Sequence, residues 1–179
     1  MIDLHAPSTG ADARDGALVE AQVGRAPRGP WSTYVRCGFG RPSVISSSPL
    51  LDDGTPFPTL YWLTCPWLVE RVGALESSGE VAAWTRRLAA DPVRAGAMRD
   101  ADAEYRFRRS LAGTDPCSPV GIAGQRDPLA IKCLHAHVAA FLAGIADPIG
   151  EAVLGQIDAE CPDDRCASLV GTAGEEWGP

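Results

Sequence analysis

The sequence predicts an α+β fold: a small antiparallel sheet over about residues 34–64, packed against four or five helices. Three observations carry that prediction. Runs of β-branched and aromatic residues bounded by turn chemistry end at Thr64. Beyond Pro66 the apolar residues recur at helical spacing. Asp-Pro pairs at 91–92, 127–128 and 147–148 carry the cap-plus-proline signature of a helix start.

In chain order, residues 1–30 show no sustained period and read as a disordered segment, with His5 exposed in it. A single globular domain is expected over 31–160. Ser43-Val44-Ile45-Ser46 reads as a strand, Asp52-Asp53-Gly54-Thr55-Pro56 as a turn, and Phe57 to Thr64 as a further strand with Pro58 near its start. Leu68, Val72 and Leu75 then define a helix opened by Pro66 and stopped by Ser77-Ser78-Gly79. A second helix uses Ser78 as cap and Val81, Trp84 and Leu88 as its apolar face. Asp91-Pro92 opens a third, to about Leu111, with Val93, Ala97, Ala101 and Tyr105 inward. Asp127-Pro128 opens a fourth, to about Ala146, apolar nearly all round and therefore central and buried. Asp147-Pro148 opens a short last helix to about Ala159, and residues 161–179 read as a loose tail.

A formal charge of −7 over 179 residues argues against a nucleic-acid partner, whose grip depends on neutralising phosphates. No run reaches the roughly 18–20 apolar residues of a membrane span. The Met1-Ile2-Asp3-Leu4-His5 start resembles no export signal, so a cytoplasmic setting is expected, with six cysteines held as thiols or metal ligands.

The chemistry concentrates in Lys132-Cys133-Leu134-His135-Ala136-His137. On a regular helix Cys133 and His137 are i,i+4 neighbours, while His135 points nearly opposite. That spacing favours Cys133 and His137 as metal ligands, joined by Cys65 and Cys37 from elsewhere in the chain. Zinc would be held by three thiolates and one imidazole. An iron–sulfur cluster would use the three thiolates alone.

A metal-free alternative makes Cys65 a nucleophile, its thiolate favoured by the helix start at Pro66, with His135 or His137 as base and Arg108 or Lys132 as anchor for a small anionic substrate. A third reading is a structural or interaction protein without catalysis. Gly121 and Gly124 precede a helix start and, with Arg108 among the basic residues of the third helix, form a weaker candidate anion site. Cys161 and Cys166 have chelate-compatible spacing within the expected tail, and Cys117 reads as incidental.

Several segments resemble the Domain of Unknown Function 501 family. They are Arg36-Cys37-Gly38-Phe39-Gly40-Arg41-Pro42-Ser43-Val44, Pro56 through Pro66, Leu75-Glu76 with Gly79, Gly121 through Gly124, Lys132 through His137, and Asp147-Pro148-Ile149-Gly150. The likeness covers about residues 34–150 and is to the actinobacterial members. It implies a bacterial cytoplasmic setting and no particular reaction. Cys37, Cys65, Cys133, His135 and His137 all fall on its motifs, whereas Cys161 and Cys166 lie outside them.

Overall fold

A computed structural model describes residues 13–169. Three antiparallel strands, β1 (Trp31–Arg36), β2 (Pro42–Ser47) and β3 (Tyr61–Leu63), lie in the order β1-β2-β3. The β1–β2 hairpin closes through Cys37 N–H donating to Arg41 O (2.9 Å), with Gly40 at φ 72° in the left-handed region that glycine enters freely. Pairing steps from Thr33↔Ile45 to Val35↔Val44, leaving Tyr34 out of register. Such an irregularity bends a strand and re-aims its side chain. The Tyr34 ring accordingly lies 4.9 Å from that of Tyr61.

Six helices among the described residues complete the fold. The first is α1 (Ala13–Val23), which packs on β2 with Leu18 and Val19 fully buried. This overturns the expectation of disorder for the part of residues 1–30 that is described; His5 lies outside the described residues. Asp15 explains why the chain is ordered here. Its buried carboxylate takes both Nη atoms of Arg36 (2.6 and 3.1 Å) and the Thr33 hydroxyl (2.6 Å), binding the helix to β1.

The remaining helices share one core with the sheet through Val44, Leu63, Leu68, Trp84, Met98 and Val138. α2 (Pro66–Ser77) starts at the expected proline. α3 (Glu80–Ala90) starts at Gly79, φ 92°, so Ser78 terminates α2 and does not cap α3. α4 (Pro92–Leu111) begins as the sequence indicates, with Asp91 accepting from Arg94 N–H at 3.0 Å. Its buried line is Ala95, Met98, Ala101, Asp102, Tyr105 and Arg109, whereas Val93 and Ala97 face outward. The tyrosine hydroxyl sets that rotation by accepting from Leu60 N–H (2.6 Å), and burial pushes its pKa up to about 12.

α5 (Leu134–Leu142) is the central buried helix, touching β3, α2, α6 and the 3-10 turn Ile122–Gly124. It begins six residues later than Asp127-Pro128 suggests. Asp127 closes only a local turn, accepting from Leu129 N–H at 2.9 Å. α6 (Pro148–Leu154) follows Asp147 as expected but stops short of Ala159. The C-terminal segment packs on the domain through Cys166: a 3-10 turn, Arg165–Ser168, buries that cysteine, and Asp164 pairs with Arg41 (2.9 Å). No helix among the described residues is long and apolar enough to cross a membrane.

Candidate metal centre

The late start of α5 creates the site. Cys133 is its N-cap, extended at φ −151° and ψ 119°, so the cysteine lies outside the helical repeat. The helix is nucleated by a partner far away in sequence: Leu134 N–H donates to Glu76 Oε1 at 2.5 Å, from the last turn of α2. An extended cap followed by a helical turn folds Cys133 and His135 toward each other. The same carboxylate oxygen that receives Leu134 lies 3.1 Å from His135 Nδ1, and Cys133 Sγ lies 3.7 Å from that nitrogen.

The opposite ring nitrogen is also engaged, with Nε2 donating to Val69 O at 3.1 Å. Val69 and Glu76 are two turns apart on α2, so the imidazole lies along one helix face. Ligand atoms of Glu76, Cys133 and His135 all lie within 4.8 Å of one another, and each residue is partly exposed. No other group of three such donors meets that separation among the described residues. His135 has its pKa pushed up to about 9, chiefly by its hydrogen bond to Cys133, against the opposing effect of burial; the Val69 carbonyl and the Glu76 charge add to the rise.

The four ligands expected from sequence do not assemble. Cys133 and His137 cannot form an i,i+4 chelate because Cys133 precedes the helix. His137 turns into the core, where Nδ1 lies 2.7 Å from Asp147 Oδ2. Cys37 and Cys65 lie together elsewhere, within electrostatic reach of each other and of Cys166. Cys65 does cap α2 and meets the Trp67 and Leu68 amides, which favour thiolate, but burial outweighs them and raises its pKa. As a nucleophile it is enclosed and protonated. His135, the other candidate for catalysis, belongs to the new cluster.

The weaker anion site is filled from within the chain. Asp102 Oδ1 accepts from Ile122 N–H (2.9 Å), and a Cβ on Gly121 would collide with the Asp102 carboxylate. The glycine loop therefore closes around the chain's own Asp102. Gly124, φ 71°, serves the same turn. Arg108 is committed to Glu104 and to Ala143 O and Gly144 O. Arg109, wholly buried, holds Asp115, Pro58 O, Cys117 O and Val120 O.

Sequence reasoning missed Glu76 and Asp147 as partners of the two histidines. Both stand in the motifs quoted above, which is the signal that could have found them. A lone acid near the end of a helix otherwise looks like a solvated residue.

No curated protein and no solved structure matches the chain significantly. The family model for a protein of unknown function (DUF501) matches residues 33–155, a span that holds the whole Glu76–Cys133–His135 cluster and leaves out Cys166. On that match, the chain belongs to the DUF501 family.

Proposed function

We propose that the protein binds a divalent transition metal, zinc by donor chemistry, through Glu76 Oε1, Cys133 Sγ and His135 Nδ1. One observation carries the reading: sulfur and carboxylate oxygen converge on the same ring nitrogen, while the other nitrogen is tied to a backbone carbonyl. Metal-ligating histidines characteristically donate their second N–H in this way, which fixes the tautomer and aims the lone pair. One thiolate, one imidazole and one carboxylate suit zinc, and a single cysteine is too few for an iron–sulfur cluster. Three protein ligands at a partly exposed site leave a fourth position for water or a small anion, where zinc would act as a Lewis acid.

The test is metal analysis and cobalt(II) titration of the purified protein. One equivalent bound, with a sulfur-to-metal absorption band lost in Cys133→Ser and retained in Cys37→Ser, supports the site. Folded protein that binds no metal, or a band indifferent to Cys133, overturns it.

A second reading keeps the same atoms without metal. Cys133, at a helix N-terminus and 3.7 Å from His135 Nδ1, would serve as a nucleophile toward electrophilic substrates. It is favoured by the upward shift of His135, and rapid alkylation of Cys133 near neutral pH in metal-free protein would support it. A cytoplasmic setting accompanies either reading, since partly exposed free thiols such as Cys133 persist in reducing compartments.

A further inference from the structure

Thr33 pairs with Ile45 and Ile45 with Trp62, so these three side chains share one face of the sheet. It is the face that Asp15 of α1 reaches through the Thr33 hydroxyl. Beyond Val23, the last residue of α1, the chain runs back along this face to β1. Pro30 O, accepting from Ser48 N–H at 2.9 Å, ties the far end of that connection to the residue after β2. Between the connection and the sheet lies a cavity of about 20 Å³, whose walls include Arg25, Arg28, Ile45, Ser47, Phe57 and Trp62. One water needs about 10–15 Å³ by the same measure, so the cavity admits a single polar group and not a whole metabolite.

Its walls are rich in donors. Trp62 Nε1 is enclosed and has no hydrogen-bond partner among the described residues. Leaving an enclosed N–H unpaired is costly. The Arg25 guanidinium stands 5.8 Å from the Trp62 ring centre, and the Phe57 ring stacks on the same indole at 5.7 Å. Arg25 and Arg28 are exposed, and among the described residues neither is paired with a carboxylate; Asp53 feels the charge of Arg28 without pairing with it. No acidic residue lines the cavity, although acids outnumber bases by 23 to 16 in the chain. A water here would accept the indole proton but bring two of its own to a wall of donors, whereas an oxyanion brings acceptors alone.

We propose that this cavity is the deep end of a phosphate site. One phosphate oxygen enters and accepts from Trp62 Nε1–H, and the remaining oxygens stay at the mouth, held by Arg25 and Arg28. Two guanidinium groups match a dianion better than a carboxylate, and their planar forks suit phosphate oxygens. The site is separate from the Glu76–Cys133–His135 cluster. That cluster lies on α2 and the start of α5, helices that pack against the opposite face of the sheet through Val44 and Leu63.

The test is an NMR titration of the full chain with inorganic phosphate, at fixed pH and with ionic strength held constant by sodium chloride, following the indole N–H resonances. The Trp62 signal is assigned through its own backbone, so no substitution of the indole is needed. The expected result is a saturable shift of that signal toward the position of a hydrogen-bonded N–H, with Trp67 and Trp84 unmoved. Arg25→Gln and Arg28→Gln should each weaken binding about tenfold, the loss of one charge-assisted contact. Cys133→Ser should leave it unchanged, which sets this site apart from an anion held on a metal. Glycerol phosphate, titrated in parallel, names the source. Tighter binding than inorganic phosphate assigns the site to the phosphate end of a larger molecule, and equal or weaker binding assigns it to the free ion. A Trp62 signal that does not move overturns the proposal. So does a signal that acetate moves at the same concentrations as phosphate, or one that responds alike in both arginine variants and the wild type.

Discussion

His137 and Asp147 form a buried pair, with Nδ1 2.7 Å from Oδ2 and both side chains almost wholly enclosed. The other carboxylate oxygen of Asp147 accepts from Ile149 N–H and Gly150 N–H, each at 2.9 Å. One residue thus caps α6 and secures α5. Asp147→Ala would strand a buried imidazole and two amides, and we expect a loss of about 3–5 kcal/mol. Asp147→Asn keeps an oxygen for the amides and should lose markedly less. Denaturant unfolding measures both, and cobalt binding by whatever remains folded should be unchanged. A comparable loss in the two variants would contradict the capping role.

The second prediction concerns pH. With its folded pKa raised to about 9 from an ordinary 6.5, His135 in the metal-free protein should titrate well above neutrality in an NMR experiment. Cys133→Ser, by removing the largest cause of that shift, should bring the midpoint down. For stability, a raised folded pKa means that the histidine's contribution is complete below pH 6.5 and disappears as pH climbs through about 9. A His135 midpoint at or below 6.5 would show that the thiol and carboxylate do not act on it.

Arg109 is the third test. It is wholly buried and holds Asp115 together with three backbone carbonyls. Arg109→Ala leaves those acceptors and a carboxylate without their donor, and a loss of roughly 3–5 kcal/mol is expected by chemical denaturation. Arg94 and Asp91, 3.7 Å apart at the start of α4, are both partly open to solvent, so Arg94→Ala should lose no more than about 1 kcal/mol. Equal losses would mean that the Arg109 network is worth no more than a surface pair.

Glycine positions provide a fourth comparison. A methyl group on Gly121 collides with the Asp102 carboxylate, and one on Gly150 with the His137 carbonyl and the Phe141 Cβ. Both alanine variants should be destabilised by about 3 kcal/mol or more, or fail to fold. Gly124 has room for a methyl, 3.7 Å from Pro58, so Gly124→Ala should suffer only the left-handed backbone strain, about 1 kcal/mol. Thermal melting ranks the three. If Gly121→Ala melts like wild type, the glycine loop does not enclose Asp102 as described.

Much of this architecture is legible in the sequence wherever a local signal suffices. Asp91-Pro92 and Asp147-Pro148 open α4 and α6 because each aspartate caps the helix that follows it. Asp127-Pro128 carries the same two letters and fails, since what starts α5 is a carboxylate 58 residues upstream of Leu134. That dependence also hid the site. With Cys133 in an extended cap, its partner is His135 and not His137, and helical spacing pointed to the wrong imidazole. α1 escaped notice for another reason. Its inward face is Asp15, Leu18, Val19 and Gln22, helically spaced but half polar, and the polar half finds its partners in Arg36, Thr33, Pro42 and Cys166. The sheet, the helical core and the central place of α5 need no such distant partner, and they emerge from pattern alone.

α5 has only nine residues, too few to hold together in water by itself, yet both its ends are met by groups of complementary charge. The Glu76 carboxylate and the Cys133 sulfur stand at its amino end, and the Arg108 guanidinium binds the Ala143 and Gly144 carbonyls at the other, at 2.7 and 3.1 Å. The helix dipole favours this arrangement of charge. An incoming cation would therefore meet electron-rich atoms already fixed by the fold and would displace a proton rather than rebuild a loop. Loading would neutralise one end of a rod whose backbone stays where it was, and the event would be felt as a change in local field more than as a change in shape.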